Sequence, residues 1–186
     1  IRRQRQMCIR DSKWTLSLSN AVSVAVRGAL CELDFKVAET DDLFSRYLSM
    51  AYDKTGVMFT LPISCVGQAA RLEDAEIKKL TEVFAKLAVA YQIRDDEADY
   101  LGNKTGRATM SDIVNDRPNL YYLLSKSEEH APDLFKHASH FHEKLINEAE
   151  VGLEAFPNSL TLMTRELVLP FVQLTKSPDP SCNLAY

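Results

Sequence analysis

Apolar and polar positions recur with helical spacing along most of the chain, most clearly from Asp74 to Leu101. Ile77, Leu80, Phe84, Leu87, Ala88 and Tyr91 define one face, while Glu76, Lys78, Lys79, Glu82 and Lys86 fall on the other. The pattern predicts one long amphipathic helix. Trp14 to Phe35 is apolar nearly all round, with Leu16, Leu18, Val22, Val26 and Leu30 among its residues, which predicts a buried helix. Its small residues Ala21, Ala25, Gly28 and Ala29 would let another helix approach closely, from this chain or a second subunit. Thr40 is placed to cap the next helix, with Asp41 and Asp42 suiting the positive end of its dipole. Leu43, Tyr47, Met50 and Ala51 continue that helix's apolar face. Asp53-Lys54-Thr55-Gly56 interrupts it before Val57, Met58 and Phe59 resume the pattern, and Pro62 predicts a second kink. Asn119 is positioned to cap a short helix containing Leu120, Leu123 and Leu124. Pro132 suits the first turn of the next helix, and Asn158 to Gln173 reads as a last amphipathic segment. The class expected is all-α.

Length, charge and cysteine usage narrow this picture. At 186 residues the chain can bury one substantial core, and a single domain is expected. With 22 Lys and Arg against 26 Asp and Glu, a general nucleic-acid role has no electrostatic support. Cys8, Cys31, Cys65 and Cys182 form no CxxC pair, which fits a reducing cytoplasmic setting and neither a zinc nor a redox motif. No apolar run reaches membrane-spanning length, so no stable membrane insertion is expected. Residues 1–12 are basic, with Arg2, Arg3, Arg5 and Arg10, and lack periodicity. They read as a disordered or non-native segment resembling translated adapter sequence, which would leave a longer native chain cut upstream. Residues 13–176 then form the domain, and 177–186, with Pro178 and Pro180, a disordered tail.

The chemistry concentrates at the end of the long helix. Gln92, Asp95, Asp96 and Asp99 are spaced i, i+3, i+4 and i+7 and share the face carried by Ile77, Phe84 and Ala88. A core-facing stripe thus becomes three carboxylates and an amide. Carboxylates turned inward cost several kcal/mol each unless a positive charge meets them. That face carries no cationic stripe, and oxygen-only ligands favour Mg²⁺ or Ca²⁺. An EF-hand fails, because with Asp95 first, Tyr100 and Gly106 stand where Gly and Glu are needed. Lys104, Arg107 and Arg117 follow in a polar loop, an order suited to a metal–diphosphate pair. Lys54, at the helix break, offers a further point charge for phosphate, although its spacing is not that of a P-loop. His137 and His140 are i, i+3, with solvation the plainer reading.

Lys54-Thr55-Gly56, then Gln92-x-x-Asp95-Asp96-x-x-Asp99, then Thr105-Gly106-Arg107 and Ser111-Asp112-Ile113 resemble, in order and spacing, the trans-isoprenyl diphosphate synthase or polyprenyl synthetase family. The resemblance runs from about Trp14 to Gln173. It implies an isoprenoid-synthase-type helical bundle around a central cavity, here incomplete at its N-terminus. It also implies a Mg²⁺-dependent prenyltransferase joining an allylic prenyl diphosphate to isopentenyl diphosphate, and a homodimer. On the matching positions, Asp95, Asp96 and Asp99 would hold metal, and Lys54, Arg107 and less securely Lys104 the allylic diphosphate. Thr55 and Gln92 would line the reacting centre.

The chain departs from the family pattern in two places. No Asp-Asp-x-x-Asp precedes Lys54, and Asp116-Arg117-Pro118-Asn119 replaces the usual downstream Gly-Lys-x-Thr. The expectation is a C-terminal portion carrying the second acidic motif and inactive alone. Two alternatives remain open, a class I terpene cyclase and a non-catalytic partner subunit. The cyclase motif would need Ser and Glu where Asn119 and Leu123 stand.

Overall fold

The computed structural model describes residues 2–35, 43–104, 106, 108–115, 117–126 and 133–174, with 2–11 and 43 as backbone only. Among these residues there are helices and turns and no strand. The helices are α1 (Arg2–Leu33), α2 (Leu43–Ala51), α3 (Val57–Ala70), α4 (Asp74–Tyr100), α5 (Ser111–Val114), α6 (Leu120–Lys126), α7 (Leu134–Leu153), α8 (Asn158–Leu167) and α9 (Leu169–Val172). A π-helical turn, Tyr52–Gly56, joins α2 to α3 without a loop.

The long helix α4 is the central element and packs chiefly on α7 and α3. Its first turn is fixed by Glu76, whose carboxylate accepts the Glu73 N–H at 3.0 Å and satisfies a donor that the helix itself leaves free. Its polar side faces water only over the first half. Farther on, Leu87, Ala88, Ala90 and Ile93 are all fully buried, because neighbours close around the helix on every side. One apolar cluster joins Val83, Leu87 and Ala90 of α4 to Ala149, Leu153 and Val172. Another joins Val89 and Ile93 to Tyr47, Met50, Leu120 and Tyr121. The acidic end of α4 therefore emerges inside the second cluster rather than at the surface.

Helix α1 differs from its expected character. It is not buried all round: Leu18, Val22, Val26, Leu30 and Leu33 are each more than half exposed. The inward side is the small-residue side. A Cβ on Gly28 would stand 2.5 Å from the Lys54 backbone nitrogen, so the close approach foreseen for Ala21 to Ala29 serves a contact within the chain. A uniformly apolar helix has no polar side to mark its outside, and here backbone proximity sets the orientation. The helix also runs back to Arg2, through the basic stretch expected to lack regular structure. Between α1 and α3 lies an open, mainly apolar groove of about 400 Å³ lined by Trp14, Thr15, Leu18, Leu61 and Cys65.

Other local expectations meet mixed outcomes. Asn119 is buried and caps α6, its Oδ1 accepting the Tyr121 N–H at 2.9 Å and the Tyr122 N–H at 3.3 Å. Helix α3 continues through Pro62. The last amphipathic segment is two helices, divided at Val168 just before Pro170. Thr40, Asp41, Asp42, Pro132 and the 177–186 tail lie outside the described residues. No helix among the described residues is long and apolar enough to cross a membrane.

Candidate active site

The sequence break at Asp53-Lys54-Thr55-Gly56 is the π-helical turn, in which the Val57 N–H reaches the Tyr52 carbonyl. One added residue per turn rotates α3 relative to α2, and such turns are frequent at functional positions. Two α1 side chains flank Gly28 and hold this turn. The Arg27 guanidinium donates to Asp53 Oδ2 at 2.9 Å, and Lys54 Nζ donates to Glu32 Oε1 at 2.6 Å. The Glu32 side chain is only 13% exposed.

The two motif segments meet at one hydrogen bond. Thr55 Oγ1 donates to Gln92 Oε1 at 2.7 Å across a separation of 37 residues. Gln92 Nε2 in turn donates to Asp96 Oδ1 at 2.8 Å. Asp96 Oδ2 accepts the Tyr47 O–H at 2.6 Å and the Leu120 N–H at 2.7 Å. Asp96 is 1% exposed. Burial raises its pKa to about 7, against the opposing pull of the hydrogen bonds from Tyr47, Leu120 and Gln92. The Tyr47 hydroxyl is pushed well up by its own burial and by the Asp96 charge.

Asp99 anchors the following loop. It is fully buried, its Oδ1 accepting the Ser111 hydroxyl at 2.6 Å and its Oδ2 the Asp112 N–H at 3.0 Å. Its backbone carbonyl takes the N–H groups of Gly102 (3.1 Å) and Met110 (2.9 Å). The Gly102 bond and that from the Asn103 N–H to the Ala98 carbonyl, at 2.7 Å, form a Schellman end to α4. Gly102 supplies the left-handed residue with φ 73°. Asp99 stands at the negative end of the α4 dipole, and donors from beyond the helix offset that placement.

Asp95 remains the accessible carboxylate of the three, its side chain 40% exposed. Lys104 Nζ donates to it at 2.9 Å and lies 3.4 Å from Asp112 Oδ2 and 3.9 Å from Asp99 Oδ1. Burial works against the Lys104 charge, but Asp95, Asp112 and Asp99 outweigh it and hold its pKa above the ordinary lysine value. The cation that the face required is therefore met in part by a lysine from the loop.

These residues bear on how a divalent ion would be held. Asp96 and Asp99 have both oxygens engaged by protein donors, and among the described residues no cluster of three or more His, Cys, Asp or Glu is arranged to hold a metal. The donor set does not fit a three-carboxylate cage. It would suit Mg²⁺, which commonly takes one or two carboxylates and completes its shell with water and substrate phosphate, and Asp95 would then be the protein ligand. Arg107 and Thr105 lie outside the described residues. Lys54 and Lys104 are held by carboxylates on separate elements, α1 and the α4 end.

Tyr47, Glu32 and Asp112 are the side chains that sequence reasoning left unassigned. Tyr47 read as part of an apolar face, and the available signal was its hydroxyl, which needs a partner once the ring is buried. Asn119 and Leu123 stand where a cyclase would place catalytic side chains. The first caps α6 and the second is 6% exposed in the core.

Comparison with known proteins bears on the fold and the family. The model of the polyprenyl synthetase family matches residues 5–150, beginning inside the basic stretch read as foreign to the domain. No curated protein matches the chain. Among solved structures, it is similar to a geranylgeranyl pyrophosphate synthetase from the archaeon Geoglobus acetivorans, at 20% identity and TM-score 0.71, covering 88% of this chain and 58% of that one. A geranylgeranyl pyrophosphate synthetase from Pyrococcus horikoshii gives 23%, 0.68, 88% and 58% for the same measures. A decaprenyl diphosphate synthase from Rhodobacter capsulatus gives 19%, 0.66, 87% and 59%. At these identities the likeness is one of fold, and the chain spans less than two thirds of each structure's length. With the family match extending over most of its residues, the chain belongs to the polyprenyl synthetase family.

Proposed function

We propose that the chain contributes the allylic-diphosphate half of a prenyltransferase site, for joining an allylic prenyl diphosphate to isopentenyl diphosphate. The observation that carries this reading is the 2.7 Å hydrogen bond from Thr55 to Gln92, which joins the Lys-Thr turn to the acidic end of α4. Lys54 stands beside that bond on one side, and Asp95 with Lys104 one helical turn beyond on the other.

In this reading the Lys54 and Lys104 ammonium groups exchange Glu32 and Asp95 for the oxygens of the allylic diphosphate. A charged leaving group repays the loss of those ion pairs, because it carries more negative charge than either carboxylate. Arg107 joins them from the loop. Mg²⁺, held by Asp95, would supply Lewis-acid withdrawal of charge from the leaving group. The Thr55 and Gln92 oxygens present the negative ends of their dipoles toward the carbon that becomes positive as the C–O bond breaks. The apolar groove between α1 and α3, beginning some two turns of α3 beyond Thr55, suits an uncharged isoprenoid tail. A second copy of the chain could cover the exposed Leu18 to Leu33 face of α1, in keeping with a homodimer.

No Asp-Asp-x-x-Asp precedes Lys54 in this sequence, so the same reading assigns the chain one of two acidic motifs. Titration calorimetry with an allylic diphosphate and Mg²⁺ is expected to register binding that Asp95→Asn and Lys54→Ala each abolish. Incubation with labelled isopentenyl diphosphate is expected to yield no elongated product. Binding unaffected by both substitutions would overturn the site assignment, and turnover by the chain alone would overturn the one-motif reading.

A further inference from the structure

We propose that Asp96, with Tyr47, is a positioning residue that sets the orientation of the Gln92 amide, rather than a metal ligand. The inference rests on the reading that Thr55 and Gln92 line the reacting centre, and adds to it a residue from α2.

The direction of the hydrogen bonds decides the amide's orientation. A glutamine amide is nearly symmetric in shape, and only its partners decide which end is oxygen. Thr55 can donate or accept, so it cannot decide. The ionised form of Asp96, which its three hydrogen-bond donors favour, can only accept. Asp96 Oδ1 at 2.8 Å from Gln92 Nε2 therefore draws the NH₂ end toward itself and leaves Oε1 facing Thr55, which donates to it at 2.7 Å. The negative end of the amide dipole is thereby turned to the Thr55 side.

Asp96 can perform this task because three residues fix it. Tyr47 from α2 donates at 2.6 Å and the first N–H of α6, that of Leu120, at 2.7 Å, both to Oδ2. Tyr47 is fully buried and Asp96 1% exposed, so neither partner is replaceable by water. Asn119 Nδ2 donates to the Asp96 backbone carbonyl at 2.9 Å and holds the main chain as well. A metal at Asp96 would have to displace these donors inside the core, whereas Asp95, its neighbour on α4, is 40% exposed in its side chain.

The test uses the ¹⁵N-labelled chain and two readouts. The Gln92 side-chain NH₂ signals, identified by their loss in Gln92→Glu, are expected as one slowly exchanging, widely separated pair. Asp96→Asn, which can donate as well as accept, should lose that protected pair or split it into two orientations. Tyr47→Phe, which keeps the ring, should shift it and speed its exchange. Mn²⁺ binding in the presence of inorganic pyrophosphate, read by electron paramagnetic resonance, should survive Asp96→Asn and Tyr47→Phe but not Asp95→Asn. An unchanged Gln92 pair in both variants, or loss of Mn²⁺ binding in Asp96→Asn with the Gln92 pair intact, would overturn the proposal. Should Asp96→Asn not fold, the Gln92 signal of Tyr47→Phe decides alone. Retained Mn²⁺ binding in Asp95→Asn would instead count against the metal assignment in the proposed function and leave the Gln92 result standing.

Discussion

Replacing Gly28 by alanine probes the contact that orients α1 and supports the Lys-Thr turn. The added Cβ would lie 2.5 Å from the Lys54 nitrogen, 2.8 Å from the Asp53 carbonyl carbon and 2.9 Å from the Lys54 Cα. All three are backbone atoms, so no side chain can rotate away. Restoring ordinary contact requires the two backbones to part by about 1 Å. Overpacking of this kind costs about 1–3 kcal/mol. Against it stands the gain of about 0.5–1 kcal/mol that alanine brings to a helix interior. The net expectation is a loss of up to about 2.5 kcal/mol, centred near about 1 kcal/mol, at which a chain of this size loses about 2–4 °C in Tm. Urea and thermal unfolding followed by circular dichroism read the change directly. Allylic diphosphate binding should weaken together with stability, because the displaced atoms belong to Lys54 and its neighbour, between the Arg27–Asp53 and Glu32–Lys54 ion pairs. A raised Tm, the usual result for an unconstrained helical glycine, would refute the inward orientation of the small-residue side.

Two further outcomes test other parts of the structure. Gly102→Ala puts a side chain at φ 73°, against the Thr109 hydroxyl, and should cost about 1–2 kcal/mol or more in urea unfolding from the left-handed conformation alone. The buried His142 has its pKa lowered mainly by burial, although its hydrogen bond to the Val172 carbonyl and the nearby Glu143 charge oppose the shift. The folded chain therefore binds this proton less readily than the unfolded one. The resulting contribution to stability is present above the unfolded value of about 6.5 and lost as pH falls toward the folded one, by up to about 1.4 kcal/mol per pH unit. Comparing unfolding free energies of wild type and His142→Gln across mildly acidic pH should reveal a flatter profile in the variant, and parallel profiles would exclude His142 as the cause.

The legible and illegible parts of the sequence divide along one physical line. Helix α4 was legible because its wet and dry sides are chemically different, and the spacing of Gln92, Asp95, Asp96 and Asp99 placed them on one face before any partner was known. Helix α1 was not, because Leu18, Val22, Val26 and Leu30 on one side are as apolar as Ala21, Ala25 and Ala29 on the other. Periodicity cannot choose between two apolar sides. That choice was made by Gly28, whose missing side chain admits the Lys54 backbone, and the small residues had marked a close approach without naming its partner. The same limit applies within the site. A face of carboxylates states that compensation is needed, but a metal ion, a lysine and a set of N–H and O–H donors satisfy that need equally well on paper. The structure assigns a different answer to each aspartate: Lys104 for Asp95, Tyr47 with Leu120 and Gln92 for Asp96, Ser111 with the Asp112 N–H for Asp99. Most of these donors are remote in sequence or carried by the backbone, so no local pattern could reveal them. Three carboxylates on one helical face can therefore have three distinct tasks, and the exposed one, Asp95, is the position where an incoming cation would compete with a side chain rather than with the core.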